Sequence, residues 1–319
     1  MSYDVVALGE TMLALAPGPG ETLQGARSYL VDHAGAESNT CVGLARLGLR
    51  AAWVSRLGDD PPGDRILEAL EAEGVDTRFV RRDPQRQTGV MFKDPRAQRV
   101  RYYRAGSAAS ALGPVDLEGV PVAEARAVLV TGVTALVGPG PQAAALALLG
   151  AARGLRVVDP NLRRGLPGSD RYAELVLPLV GRADLVLAGE QELAELVGPG
   201  DPEGLARRCA ARGPREVVVR GADRLGALSA TGEWTVVDIH RGDAVDAVGA
   251  GDAFNAGYLA VRLRGGLVAD ALRAGIRCGT AVAMSLGDTA GFPNSIDARE
   301  DVQRTGCPTH DHTVTGGRP

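Results

Sequence analysis

The sequence predicts an α/β fold in which a mostly parallel sheet is flanked by helices and carries a small β-sheet lid. Three observations lead there. Short β-branched runs ending in small or acidic residues alternate with stretches of helical spacing, two strand-like segments break that alternation, and a Gly-Ala-Gly-Asp turn opens an apolar helix near the C-terminus.

The alternation is read in chain order. Val5–Leu8 runs into Gly9-Glu10, Ala127–Val130 into Thr131-Gly132, Arg156–Val158 into Asp159-Pro160-Asn161, Asp184–Leu187 toward Gly189, and Glu216–Val219 into Arg220-Gly221. In such sheets ligands gather beyond the carboxyl ends of the strands, so these polar endings are either site residues or plain turns. Cys41, Leu44, Ala45 and Leu47 share one helix face before Gly48, and Pro61-Pro62 starts a helix through Ile66, Leu67 and Leu70 that closes at Gly74. Thr88–Lys93 and Arg99–Arg104 form an antiparallel hairpin across Asp94-Pro95. On a period of two, Val100, Tyr102 and Arg104 share one face, while Arg99, Arg101 and Tyr103 share the other. An aromatic and a cation on each face suit a small sheet over something polar. The lid is expected from about 11–33 and 86–106, within one domain over 1–302; 303–319, without periodicity, is expected to be a disordered tail.

The 319 residues, 45% hydrophobic and 23% charged, suffice for one or two cores. A net charge of -4 with scattered Lys and Arg leaves no basic stripe, so the expected partner is a small molecule and no nucleic acid. The start lacks a basic segment followed by an apolar one, and no apolar run approaches the roughly 18–20 residues of a membrane span. No membrane partner is expected, and a cytoplasmic location is. Four separated cysteines without a CxxC read as reduced thiols.

The sharpest feature is Asp246-Ala247-Val248-Gly249-Ala250-Gly251-Asp252-Ala253-Phe254, which leads into an apolar helix. Gly249 and Gly251 let the backbone approach an anion, and the new helix aims unpaired N–H groups and its positive dipole end at the same point. An Asp there repels a phosphate, so Asp252 is either a general base for an attacking hydroxyl or a helix cap. No Walker motif and no complete GxGxxG is present.

The Gly-Ala-Gly-Asp stretch resembles the signature of the ribokinase-type (PfkB) carbohydrate kinases. Ala34-Gly35-Ala36-Glu37-Ser38-Asn39, running into Leu44-Ala45-Arg46-Leu47-Gly48, is similar to that family's first signature, and Gly58-Asp59-Asp60 with Gly63 to the stretch after it. The resemblance covers about residues 3 to 300. Gly9-Glu10 and Tyr102-Tyr103-Arg104-Ala105-Gly106-Ser107-Ala108 look most like the 2-keto-3-deoxygluconate kinases. It implies a ribokinase-like, doubly wound fold and ATP-dependent phosphorylation of a sugar or sugar acid, 2-keto-3-deoxygluconate to its 6-phosphate first. A fructokinase or ribokinase acting on a neutral sugar is the alternative, and a non-catalytic sensor of the same fold a more distant one.

The resemblance also implies roles. Asp252 is the expected base, and Gly249, Ala250 and Gly251 the anion hole. Glu192 stands at the Glu of an Asn-x-x-Glu motif that positions Mg2+ and phosphate through water, with Gly189 in place of the Asn. Arg220, Gly221 and Ala222, followed by Gly226, resemble the nucleotide-binding turn. Gly35 and Asn39 line the expected sugar pocket, Tyr102 covers it, and Met91 stands where the family has a Tyr on the sugar; Ala34 replaces the first glycine of a Gly-Gly pair. Arg104 and Arg163 match arginines that hold the acid sugar, and two guanidinium groups suit a carboxylate because each donates a planar fork. ATP and Mg2+ are the implied cofactors, with a monovalent cation such as K+ a further candidate. The open lid edges suggest a homo-oligomer, a dimer or larger.

Other constellations offer less. His310-Asp311-His312 with Cys307 falls in the expected tail; His33 and His240 have no Cys or Ser partner nearby, and no GxSxG elbow exists. Trp53 and Trp234 read as packing aromatics. A dehydrogenase would need a glycine fingerprint after Val5–Leu8, where the chain reads Gly9-Glu10-Thr11-Met12.

Overall fold

Alternating apolar runs and amphipathic stretches resolve into two sheets in the computed structural model, which describes residues 2–18, 20–94, 99–166, 168–239, 248–285 and 287–296. His240, the Asp246-Ala247 start of the glycine turn, Pro95 in the hairpin turn, and the tail over 303–319 lie outside the described residues. The strands are β1 (Val5–Leu8), β2 (Met12–Pro17), β3 (Tyr29–Ala34), β4 (Ala51–Gly58), β5 (Val80–Asp83), β6 (Val90–Asp94), β7 (Arg99–Tyr103), β8 (Ala127–Thr131), β9 (Leu155–Asp159), β10 (Leu185–Gly189), β11 (Glu216–Arg220), β12 (Arg224–Leu228) and β13 (Trp234–Asp238). The α-helices are α1 (Ala36–Arg46), α2 (Pro61–Ala72), α3 (Gly132–Val137), α4 (Pro139–Ala151), α5 (Tyr172–Val180), α6 (Glu190–Val197), α7 (Pro202–Ala210), α8 (Ala250–Leu263) and α9 (Val268–Ala283).

The large sheet has the order β13-β12-β11-β10-β9-β8-β1-β4-β5. Its strands are parallel from β11 to β5, and β12 and β13 run antiparallel at one edge. β1 and β8 are apolar and buried throughout, as strands covered on both faces must be. The two faces feed separate cores. Val6 and Leu8 of β1 pack with Ala144, Leu148, Val176, Leu193 and Leu205 from α4 to α7. Val5 and Ala7 pack with Val42, Leu44, Ile66, Leu70, Leu259 and Leu272 from α1, α2, α8 and α9. That is the doubly wound arrangement expected, and each such aliphatic side chain taken fully from water contributes about 1.5–3 kcal/mol. No helix among the described residues is long and apolar enough to cross a membrane.

The small sheet has the order β3-β2-β6-β7, with β6 and β7 paired antiparallel as the hairpin pattern predicts. It springs from the carboxyl end of β1 and is tied to the body at its base. Asp60 caps α2 through Gly63 N at 2.9 Å and also accepts from Thr88 N at 2.8 Å, just before β6.

Close packing sets the distance between α1 and α8, the helices that meet beneath the lid. A side chain at Gly43 of α1 would overlap the Phe292 ring and come within 2.6 Å of Ala256 Cβ on α8. Gly43→Leu is therefore expected to cost about 1–3 kcal/mol by overpacking. Thermal unfolding of the variant beside the wild type measures this, and an unchanged Tm would contradict the packing described.

Candidate functional site

Gly249 adopts φ 84°, a left-handed conformation that favours glycine, and a Cβ there would lie 2.5 Å from the Asp288 carbonyl oxygen. This turn starts α8, so Ala250, Gly251 and Asp252 form its first turn, where backbone N–H groups lack helical partners. Gly249 occupies the N-cap, and no side chain caps the helix. Asp252 thus has no capping hydrogen bond; instead its Oδ2 accepts from Asn39 Nδ2 at 2.9 Å, and only 4% of the residue is exposed. Burial pushes its pKa up to about 8, with Asp159 and Asp288 adding to the rise and Arg163 and the Asn39 hydrogen bond opposing it. A carboxyl group placed so can exchange a proton near neutral pH. Asn39 stands on α1, whose extended N-cap Gly35 has no room for a side chain, since a Cβ there would lie 2.5 Å from the Glu10 carbonyl oxygen and 2.6 Å from Thr11 Oγ1.

The ends of β9, β10 and β11 converge on Arg220. Its guanidinium donates to Asn255 Oδ1 at 2.8 Å and the Gly251 carbonyl at 3.3 Å, pairs with Asp159 at 3.2 Å and Glu192 at 3.5 Å, and lies over the Phe254 ring. Burial acts to lower its pKa, but Asp159 and Glu192 outweigh that and raise it. Glu192 accepts from Gly189 N at 2.6 Å and Leu162 N at 3.0 Å. The backbone of Gly189 therefore orients Glu192 without an Asn side chain. Burial and then Asp159 push the Glu192 carboxyl above its ordinary range.

Above this cluster opens a cavity of about 990 Å³ between β7 and the sheet, lined among others by Tyr102, Arg163, Glu192, Arg220, Gly221 and Ala222. A second, of about 280 Å³, lies between α8 and α9 and is lined by Gly221, Leu225, Gly251, Phe254, Gly275 and Thr280. The first is rich in cations and the second mostly apolar, which suits a phosphate chain and a flat ring respectively. Gly226 takes no part in either. It sits within β12 opposite Val219 and Val236, and a Cβ there would overlap the Trp234 ring, so sheet packing accounts for it. Arg220 lies next to the Gly221-Ala222 turn as a charge already hydrogen-bonded within the protein.

On the lid side a third cavity of about 530 Å³ is lined by Tyr102, Arg104, Gly106, Ser110, Leu136 and Leu166. Arg104 is buried in an ion pair with Glu10, whose Oε1 also accepts from Ser107 Oγ at 2.6 Å, and its guanidinium lies over the Tyr102 ring. Met91 packs with Met12, Ala14 and Ala34 in the core of the lid. Arg104 and Arg163 therefore differ: the first is balanced by Glu10, while the second, half-buried on the large cavity, bears on Asp252 through its charge.

Sequence reasoning gave no role to Asn255, Lys93, Asp288 or Glu37, and named Asp159 only as one of the polar strand endings. Glu37 is buried and accepts from Thr131 N, Thr131 Oγ1 and Thr134 Oγ1 at 2.6–3.0 Å, bracing α1 against β8 and α3. Lys93 was legible in the strand period, because it shares the inner face of β6 with Met91. Among the described residues, no group of three or more His, Cys, Asp or Glu side chains is arranged to hold a metal ion.

Against known proteins, the family model described as "pfkB family carbohydrate kinase" matches residues 2–295. The chain is 34% identical over 287 residues to the 2-dehydro-3-deoxygalactonokinase of Haloferax volcanii, an alignment covering 86% of this chain and 89% of that protein. It is 31% identical over 312 residues to the 2-dehydro-3-deoxygluconokinase of Thermoproteus tenax, covering 93% of each. Among solved structures it is similar to a PfkB protein from Polaromonas sp. JS666, with a TM-score of 0.81 and 34% identity over 91% of this chain and 98% of that one.

The raised pKa of Asp252 makes a stability prediction. Unfolded, the carboxyl ionises near its ordinary value of 3.8; folded, it holds its proton to about pH 8, so its burial costs stability increasingly as pH rises between the two. Asp252→Asn removes that cost. Denaturant unfolding at several pH values should show the variant gaining on the wild type from about pH 4 to 8 and levelling beyond. A difference independent of pH would contradict the environment assigned to Asp252.

Proposed function

Because the chain belongs to the pfkB family of carbohydrate kinases, we propose that it transfers the γ-phosphoryl group of ATP to the terminal hydroxyl of a 2-keto-3-deoxy sugar acid, 2-keto-3-deoxygluconate first. The observation that carries this is Asp252, buried at the start of α8, held by Asn39 and with no capping hydrogen bond of its own. The substrate hydroxyl oxygen forms a bond to the γ-phosphorus as its proton passes to the Asp252 carboxylate. The bond from that phosphorus to the bridging oxygen breaks, and its electron pair leaves with ADP. The N–H groups opening α8 face the charge that spreads over the transferring oxygens. Magnesium would supply charge neutralisation on the phosphates, and Glu192, fixed by Gly189 N and Leu162 N beside the cation-rich cavity, fits a water-mediated hold on it. The lid, with Tyr102 over the cavity, excludes water that would otherwise take the phosphoryl group.

Two features support an acid sugar: the relatives' names, both 2-dehydro-3-deoxy sugar-acid kinases, and Arg163 on the cavity beside the base. One observation favours a neutral sugar as the second reading, since Glu10 already balances Arg104.

ADP release separates the two readings. With 2-keto-3-deoxygluconate as substrate, Arg163→Leu should lower kcat/KM by about 10- to 100-fold, the loss of a charge-assisted hydrogen bond. Turnover of fructose or ribose with none of the sugar acid would overturn the acid-sugar reading. Asp252→Asn should lower kcat by about 100-fold or more with either sugar, and retention of most activity would remove Asp252 from the base's role.

A further inference from the structure

Lys93 is a buried cation that the chemistry above does not use. It stands on β6 of the lid, and its Nζ pairs with the Asp288 carboxylate, in the segment after α9. The backbone of Asp288 abuts Gly249, the residue that opens α8. Between the two aspartates lies one amide: Asn39 Nδ2 is 2.9 Å from Asp252 Oδ2 and 3.5 Å from Asp288 Oδ2. Lid, C-terminal segment, α1 and α8 thus share one line of charge and hydrogen bonds running Lys93, Asp288, Asn39, Asp252.

We infer that Lys93 is a positioning residue that neutralises Asp288 from the lid and, through the Asn39 amide, sets how readily Asp252 takes the substrate's proton. The inference rests on Asp252 as the base, as proposed above, and not on which sugar is used. A second carboxylate so close to a base opposes its ionisation. Asp288 acts on Asp252 in that sense, as does Asp159, while Arg163, Arg220 and the Asn39 hydrogen bond act in the other. Facing Asp288 are Lys93 from β6, Asn39 from α1 and His33 from β3. Burial holds His33 below its ordinary pKa, so it is neutral at working pH and Lys93 supplies the positive charge of that pair. With β6 seated, Asp288 is neutralised and Asp252 is free to ionise. With β6 lifted, Asp288 loses the Lys93 charge and weighs more heavily against ionisation of the base, which keeps its proton to higher pH. Base strength is tied in this way to the lid strand being in place, which disfavours activation of water in an open site.

The test is the pH dependence of kcat, followed as sugar-dependent ADP release. Lys93→Met should move the acid limb up by about one pH unit and leave the alkaline plateau close to that of the wild type; at a pH below both limbs kcat then falls about 10-fold. Lys93→Arg, which keeps the charge, should hold the limb at the wild-type position. Asp288→Asn should move the limb down, and combined with Lys93→Met it should return the limb toward the wild type. A limb that stays put in Lys93→Met while kcat falls equally at every pH overturns the inference. So does an Asp288→Asn limb that is unchanged or raised, which remains decisive where Lys93→Met does not fold. If only a neutral sugar is turned over, the acid-sugar assignment fails and the same profiles are recorded with that sugar.

Discussion

The buried guanidinium of Arg220 joins three strand ends to the helix that carries Asp252. It reaches Asp159 at the end of β9, Glu192 in the first turn after β10, and Asn255 and the Gly251 carbonyl on α8. Taking such charges from water costs several kcal/mol per ion, so the cluster is tolerable only because nearly every polar atom has a partner. Removing one member would leave the others buried and unmatched, typically about 3–5 kcal/mol worse. Gly251 precedes Asp252 in the chain, so whatever fixes its carbonyl also fixes Asp252. A cation beneath the cavity of about 990 Å³ can favour an anionic group there through its field while its hydrogen bonds remain within the protein.

Asp252 illustrates the opposite use of burial. The same desolvation that Arg220 resists by pairing is only partly offset at Asp252, which has one hydrogen bond from Asn39 and the more distant charge of Arg163. A fully satisfied carboxylate would ionise far below neutrality and accept a proton poorly. The site therefore combines a saturated ion cluster that holds geometry with an under-satisfied carboxyl whose proton can exchange near neutral pH.

Much of this was legible in the sequence where local chemistry decides structure. Val5–Leu8, Ala127–Val130 and Glu216–Val219 are apolar runs that only covered parallel strands accommodate, and the Thr88–Arg104 hairpin follows from alternation. That Asp252 is not the helix cap was not legible, because it turns on which residue is the N-cap, and the left-handed Gly249 takes that place. Arg104 pairs with Glu10 and Lys93 with Asp288, contacts made across the fold that no spacing along the chain reveals. Gly226 misled for a related reason: glycine near a nucleotide turn suggests a close ligand approach, whereas this one makes room for Trp234 across the strand pair.

The hydrogen bond from Asn39 to Asp252 spans 213 positions of the chain. Loop closure over that length comes late, after the local strand–helix units have formed. During synthesis, α1 leaves the ribosome long before α8 exists, and its Asn39 must wait for Asp252 while the sheet grows between them. No partial chain ending before α8 can bury Asp252 as the folded protein does, so any chemistry that depends on this carboxyl waits until the chain has been made past α8.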